Sequence, residues 1–258
     1  MAEPTAPVQH PTASPSPTAG RSYREVLART NAAQKPGAGV PAYTRWVNRR
    51  LARYAAAAAY RLGMSPNGVS VLSLGCSVTG LALLLVLGDK QVLAGVVAAV
   101  LLALGYVLDS ADGQLARLSG TAGRSGEWLD HLFDAVRAPA VHLVVAAGVL
   151  LREEATEALA VLAAAYALLV TAQFMSQMLA GMMLDAHASV RTPPRERQSW
   201  LLLPTDTGVL CWTFVLWGFP VAFAAVYVAL FCANAVHAGA SMRRRFRELN
   251  RVAGWSPR

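Results

Sequence analysis

The stretch LGYVLDSADGQLARLSGTAGRSGEWLDHLFDAVR, residues 104–137, decides how the rest of the chain is read. It carries Asp109, Asp112, Asp130 and Asp134 in the spacing D-x2-D-G-x2-A-R-x8-G-x3-D-x3-D, between two long apolar segments. A carboxylate in lipid is costly unless it is paired or bound to a cation, so four of them close together demand positive charge. Asp109 and Asp112 are three apart and Asp130 and Asp134 four apart, which puts each pair on one helix face. The two segments are consecutive and joined by the Gly-rich loop SGTAGRSG, so an antiparallel pair brings the faces together. All-oxygen ligands favour Mg2+ or Mn2+. Four carboxylates suit two such ions about 3.5 to 4 Å apart, an arrangement that serves phosphoryl chemistry.

The flanking sequence is that of a membrane protein. Of 258 residues, 55% are apolar and 15% charged, and the mean hydropathy is +0.38, which excludes an ordinary soluble domain. Apolar runs near 68–88, 92–117, 127–151, 158–181, 206–218 and 220–242 approach the roughly 20 residues that cross a bilayer core. Pro204 and Asp206 interrupt the run leading into the fifth, and Gly218 and Pro220 mark the turn after it. The expected fold is an all-α integral membrane protein of six transmembrane helices with an N-terminal amphipathic interfacial helix. Residues 1–40 read as a disordered Pro/Ser/Thr/Ala tail, 41–64 as the amphipathic helix, 65–245 as the six-helix domain and 246–258 as a basic cytoplasmic tail. In the amphipathic helix Trp46, Val47, Leu51, Tyr54 and Ala58 recur at helical spacing, with Arg45, Arg49, Arg50 and Arg53 between them. Pro66 ends it, and Asn67 is placed to cap the first span.

Charge placement orients the spans. Twenty of the 23 Lys and Arg fall at 21–61, at 117 and 124, at 191–197 and at 243–258. That alternation follows the positive-inside rule and puts both termini and the acid-bearing loop in the cytoplasm of a multi-pass cell-membrane protein. It also removes the case for nucleic acid that a net charge of +8 would otherwise make. Cys76, Cys211 and Cys232 lie in apolar runs without paired spacing and read as packing residues. From Ala138 to Leu151 a helix rises about 21 Å, short of a ~30 Å core, so Asp134 sits below the cytoplasmic interface.

Other residues have readings of their own. Gly113 allows close backbone approach beside the acids, and Arg117, on their cytoplasmic side, suits a phosphate. Gly126 relieves crowding between the two acid helices. Arg137, one turn deeper than Asp134, orients that acid, pairs with it or holds a phosphate-bearing acceptor. His131 falls on a different helix face from Asp130 and Asp134. His142 and His237 read as packing or interhelical hydrogen bonds, and Arg191, Arg195 and Arg197 as topogenic charges or anion contacts. A simple ion-paired bundle would match Asp109 or Asp112 with Arg117 and Asp134 with Arg137, leaving two acids unexplained.

The spacing resembles the signature of the CDP-alcohol phosphotransferase (CDP-alcohol phosphatidyltransferase) family. Asp109, Asp112, Gly113, Ala116, Arg117, Gly126, Asp130 and Asp134 match its fixed positions, and SPNGVS at 65–70 is similar to the family's lead into the first span. The resemblance implies two divalent ions, Mg2+ or Mn2+, on Asp109, Asp112, Asp130 and Asp134, with Asp134 also the general base. It implies contacts to the CDP moiety from Asn67, Gly68, Val69, Ser70, Gly113 and Arg117, with Arg137 toward the acceptor or behind Asp134. It further implies transfer of a substituted phosphate, phosphatidyl from CDP-diacylglycerol, to a small hydroxyl acceptor, with release of CMP in phospholipid biosynthesis by a homodimer. A polar donor such as CDP-inositol is the alternative within the class, and a divalent-cation transporter is the alternative outside it.

Overall fold

The computed structural model describes residues 22–32, 39–152, 157–185 and 197–252. In order these form α1 (Tyr23–Ala32), a π-helical turn (Thr44–Asn48) continuing into α2 (Arg49–Arg61), α3 (Pro66–Val86), α4 (Gln91–Ser119), α5 (Arg124–Leu150), α6 (Glu157–Asp185), α7 (Arg197–Leu201), α8 (Thr207–Thr213) and α9 (Pro220–Val252). There is no strand among the described residues. Among the described residues five segments are long and apolar enough to cross a membrane: Pro66–Val86, Gly88–Ser119, Arg124–Leu150, Glu157–Leu184 and Pro220–Arg251. The most enclosed of them, ending in α4, has 44% of its apolar window buried within the chain, against 22% for α6 and α9. The remaining apolar surface is left for lipid.

The run expected as the fifth span behaves differently. Its apolar helix, Thr207–Leu216, is shorter than a crossing. Asp206 caps it, accepting a hydrogen bond from Gly208 N at 3.0 Å, so the residue that interrupts the apolar run is the one that starts the helix. The segment runs along α4. Asp206 and Tyr106 share Thr44 at one end, and at the other Gly218 is so close to Val92 that a Cβ would collide. From Tyr106 to Val92 is about 21 Å of helix.

Small residues bring α4 against its neighbours. A Cβ on Gly105 would sit 2.6 Å from Ser77 Oγ and 3.0 Å from Ser73 O on α3, and Ser73 Oγ donates to Gly105 O at 2.8 Å. Gly95 faces the Phe214 carbonyl and Trp217, 2.6 Å from the latter's Cβ by the same construction. Trp217 centres an aromatic knot at the end remote from the acids, with Phe214 and Phe223 rings at 6.1 and 5.0 Å. Arg152 closes it, lying 4.0 Å over the Trp217 ring and donating to its carbonyl at 2.8 Å. Deeper, His142 hydrogen-bonds Tyr227 OH at 2.7 Å and stacks on Tyr166 at 3.8 Å.

At the acid-bearing end, α2 turns Ala52, Ala56, Ala57 and Tyr60 onto Val107, Ala111, Leu115 and Leu118 of α4. Trp46, Val47, Leu51 and Tyr54 stay outside, each between 40 and 47% exposed, as an interfacial helix requires. Residues 23–32, read from sequence as part of a disordered tail, are instead helical. Ser22 Oγ accepts from Glu25 N at 3.3 Å while Glu25 Oε2 accepts from Ser22 N at 3.1 Å, a reciprocal cap. Val26 then joins the cluster under α2. Residues 1–21 of that tail, Arg191 and Arg195 of the long polar loop, and 253–258 lie outside the described residues.

Candidate metal centre

The site begins where α3 begins. Pro66, lacking an N–H, fits the first helical position, so the cap is Ser65, accepting from Gly68 N at 3.1 Å, rather than Asn67. That start sets the next turn. Ser70 points at α4 and its Oγ donates a short hydrogen bond to Asp112 Oδ2. Asn67 faces α5, its Oδ1 3.8 Å from where a Cβ on Gly126 would lie. Val69 is buried in the apolar cluster with Ala56 and Leu115, so its side chain is turned away from the acids. Of the four residues expected to meet the nucleotide here, Ser70 and Asn67 border the acid helices, and the Gly68 N–H is spent on the cap.

Next, α4 carries Asp109, Asp112, Gly113 and Arg117 in its last turns. Arg117 folds back over the bare backbone of Gly113, with Nη1 3.5 Å from where a Cβ would be. The helix ends at Gly120, whose φ of 68° is left-handed, its N–H donating to the Arg117 carbonyl at 3.3 Å. Residues 121–123 then lead directly into α5. On α2, Arg49 lies against the same end of α4, its carbonyl accepting from Gln114 Nε2 at 3.4 Å. Half-burial lowers the Arg49 guanidinium from its ordinary pKa, and nearby Arg45 adds to the shift.

The acids do converge. Single oxygens from Asp109, Asp112 and Asp130 all lie within 4.8 Å of one another, and so do ligand atoms from Asp130, His131 and Asp134. Asp130 belongs to both groups and joins them into one pocket. His131, assigned by helical spacing to another face, is thus part of the cluster. Adjacent side chains leave the axis 100° apart, but at the rim of a pocket the imidazole reaches around. Its ring also edges Phe174 of α6 at 6.3 Å.

Arg137 supplies a cation in direct contact with these acids. Its Nη2 lies 2.7 Å from Asp109 Oδ1 and 3.8 Å from Asp134 Oδ1, and its side chain is 10% exposed. The expected Asp134 contact is present but is the longer of the two. The closer partner is on the neighbouring helix. By itself the Arg137 guanidinium does not offset four carboxylates. An all-oxygen set from two rigid helices, with oxygens this close, fits divalent cations.

A polar clamp holds the amphipathic helix to this end of the bundle, and the sequence reading passed over it. Asp206 accepts from Thr44 N at 2.7 Å and from Thr44 Oγ1 at 2.8 Å, and Thr44 Oγ1 is 2.6 Å from Tyr106 OH. One turn on, the fully buried Asn48 donates to Tyr106 O at 3.3 Å and Ser110 Oγ at 2.6 Å. Ser110 neighbours Asp109, so the clamp fixes α4 at the depth of the acids. The signal was an acid directly before a Thr-Gly helix start.

Residues 63–237 match the family model described as CDP-alcohol phosphatidyltransferase. No curated protein matches the chain.

Proposed function

The chain belongs to the CDP-alcohol phosphatidyltransferase family, whose members are transferases of substituted phosphate groups, and from that premise we propose a specific reaction. It moves the phosphatidyl group of CDP-diacylglycerol to a small hydroxyl acceptor and releases CMP. It works as a homodimer in the cell membrane, with its termini and acid pocket cytoplasmic and the Asp206–Gly218 segment as a sixth crossing. The observation that carries the reading is the convergence of Asp109, Asp112 and Asp130 from two helices within 4.8 Å.

Asp109, Asp112, Asp130 and Asp134 would hold two divalent ions, Mg2+ or Mn2+. Such ions, when bound, supply Lewis-acid polarisation of the phosphoryl oxygens and charge to offset the leaving group. The chain's own residues do the rest. Arg117, over Gly113, holds a donor phosphate from the cytoplasmic side. Asn67 borders the nucleotide, and Ser70 orients Asp112 through its hydrogen bond. Asp134 takes the proton from the acceptor hydroxyl as its oxygen attacks the β-phosphorus. The bond from that phosphorus to the bridging oxygen breaks, and CMP departs with the electron pair.

Arg117, folded over Gly113 beside the acids, weighs against a cation-transport path, which has no use for a phosphate-holding guanidinium there. Purified protein supplied with CDP-diacylglycerol, or with CDP-inositol, plus Mg2+ and a panel of alcohols is expected to release CMP only with the lipid donor, and to stop when EDTA is added. Asp134→Asn should cut turnover by about 10² to 10⁴. Near-wild-type turnover by that variant would remove the base role.

A further inference from the structure

The α6 helix carries an unsatisfied amide: both Nε2 and Oε1 of Gln173 are buried without a hydrogen-bond partner. A buried polar group left unmatched costs free energy, and at this position in an apolar helix a Leu would fill the space without that cost. Its place in the fold is fixed by two ring contacts. His142 stacks on Tyr166 at 3.8 Å, and His131 edges Phe174 at 6.3 Å. These set α6 antiparallel to α5 and put Gln173 level with residues 132–135, the turn that contains Asp134. Gln173 also stands seven residues after Tyr166, on the stripe that faces α5. A second unmatched donor lies one turn deeper on α5. Arg137, nine-tenths buried, gives Nη2 to Asp109 and keeps Nε buried with no partner.

Resting on the phosphotransferase reading above, we propose that Gln173 and Arg137 form the acceptor-binding wall of the site, and that the acceptor is a neutral or anionic polyol. An amide presents a donor and an acceptor side by side, the complement of a hydroxyl, which both gives and takes a hydrogen bond. The Arg137 Nε–H then donates to a second oxygen of the same molecule. An amino alcohol instead sets an ammonium, which has only donors, against the Nε–H donor, and neither group finds a partner. The wall therefore selects for a further oxygen beside the reacting hydroxyl and against a cationic nitrogen.

The test uses full-length protein in nanodiscs with CDP-diacylglycerol and Mg2+, following CMP release with glycerol, glycerol 3-phosphate, myo-inositol 1-phosphate or ethanolamine. Gln173→Leu is expected to raise the KM for the preferred polyol about tenfold or more while the donor KM and the Mg2+ requirement stay at wild-type values. It should also raise the melting temperature of the unliganded protein, since it removes the unmatched amide. Gln173→Glu should raise the KM for a phosphorylated polyol more than for glycerol, a charge effect that a packing role would not produce. Three results overturn the proposal: an acceptor KM within twofold of wild type in Gln173→Leu, a loss confined to kcat, or preferred use of ethanolamine. Failure of the wild type to release CMP with any acceptor would instead remove the CDP-diacylglycerol reading, and this proposal with it.

Discussion

Arg137 on α5 reaches across to α4 and sets Nη2 2.7 Å from Asp109 Oδ1, so the acid pocket contains a fixed cation of its own. That pairing joins the two helices whose carboxylates must cooperate. It also sets a baseline for what added metal contributes. Removing the guanidinium takes this partner from Asp109, and a bound ion can replace its charge.

Arg137→Gln is therefore expected to lose about 3 kcal/mol of stability in divalent-free buffer, the scale of breaking a buried ion pair from one side. Most of the loss should return on adding Mg2+. Thermal unfolding with EDTA and with Mg2+ checks this, and a variant that melts with the wild type in EDTA would show that the pair does not hold the helices together.

Ser70→Ala removes the hydroxyl that donates to Asp112. Groups that orient a metal ligand typically matter 10- to 100-fold in metal affinity, so the Mg2+ concentration for half-maximal CMP release should rise by that order. Direct Mn2+ titration should show the same shift, and an unchanged titration would detach Asp112 from the ion site.

Gly95→Ala tests packing away from the chemistry. The new methyl meets the Phe214 carbonyl and Trp217, and overpacking of this kind costs about 1 to 3 kcal/mol. The melting temperature should fall while turnover per folded molecule holds. Loss of turnover at full stability would mean that the aromatic knot controls the acid pocket from the far end.

Asp206→Asn weakens an acceptor that is 2% exposed and serves both Thr44 and Gly208. Hydrogen bonds to a charged group are worth roughly 1.5 to 3 kcal/mol, so a loss of about 2 kcal/mol is expected. Amide exchange should quicken in residues 44–61. Unaltered exchange there would place the clamp's anchor elsewhere.

The long apolar helices and the acid pairs were legible because each rests on a period: apolar length against bilayer thickness, and carboxylates three and four apart. Features set by a single side chain were not. The Ser22–Glu25 cap lies inside a stretch whose composition argues for disorder, and composition averages away one local motif. The cap of α3 fell to Ser65 because Pro66 suits the first turn, a two-residue difference from Asn67 that sends Val69 into the core and Ser70 toward Asp112. Spacing set His131 apart from the acids because it tracks where a side chain leaves the axis, not how far it reaches. Gln173 had no sequence signal. A lone amide in an apolar helix matters only when the opposite wall is known, and that wall comes from another helix.

Gly120 turns the chain so abruptly that only residues 120–123 separate the two acid helices. All four carboxylates thus come from one uninterrupted piece of polypeptide, while the wall that would select the acceptor draws partly on a separate helix. Reactive chemistry and selectivity can then drift independently. The first is fixed by a single hairpin, and the second can be altered on α6 alone.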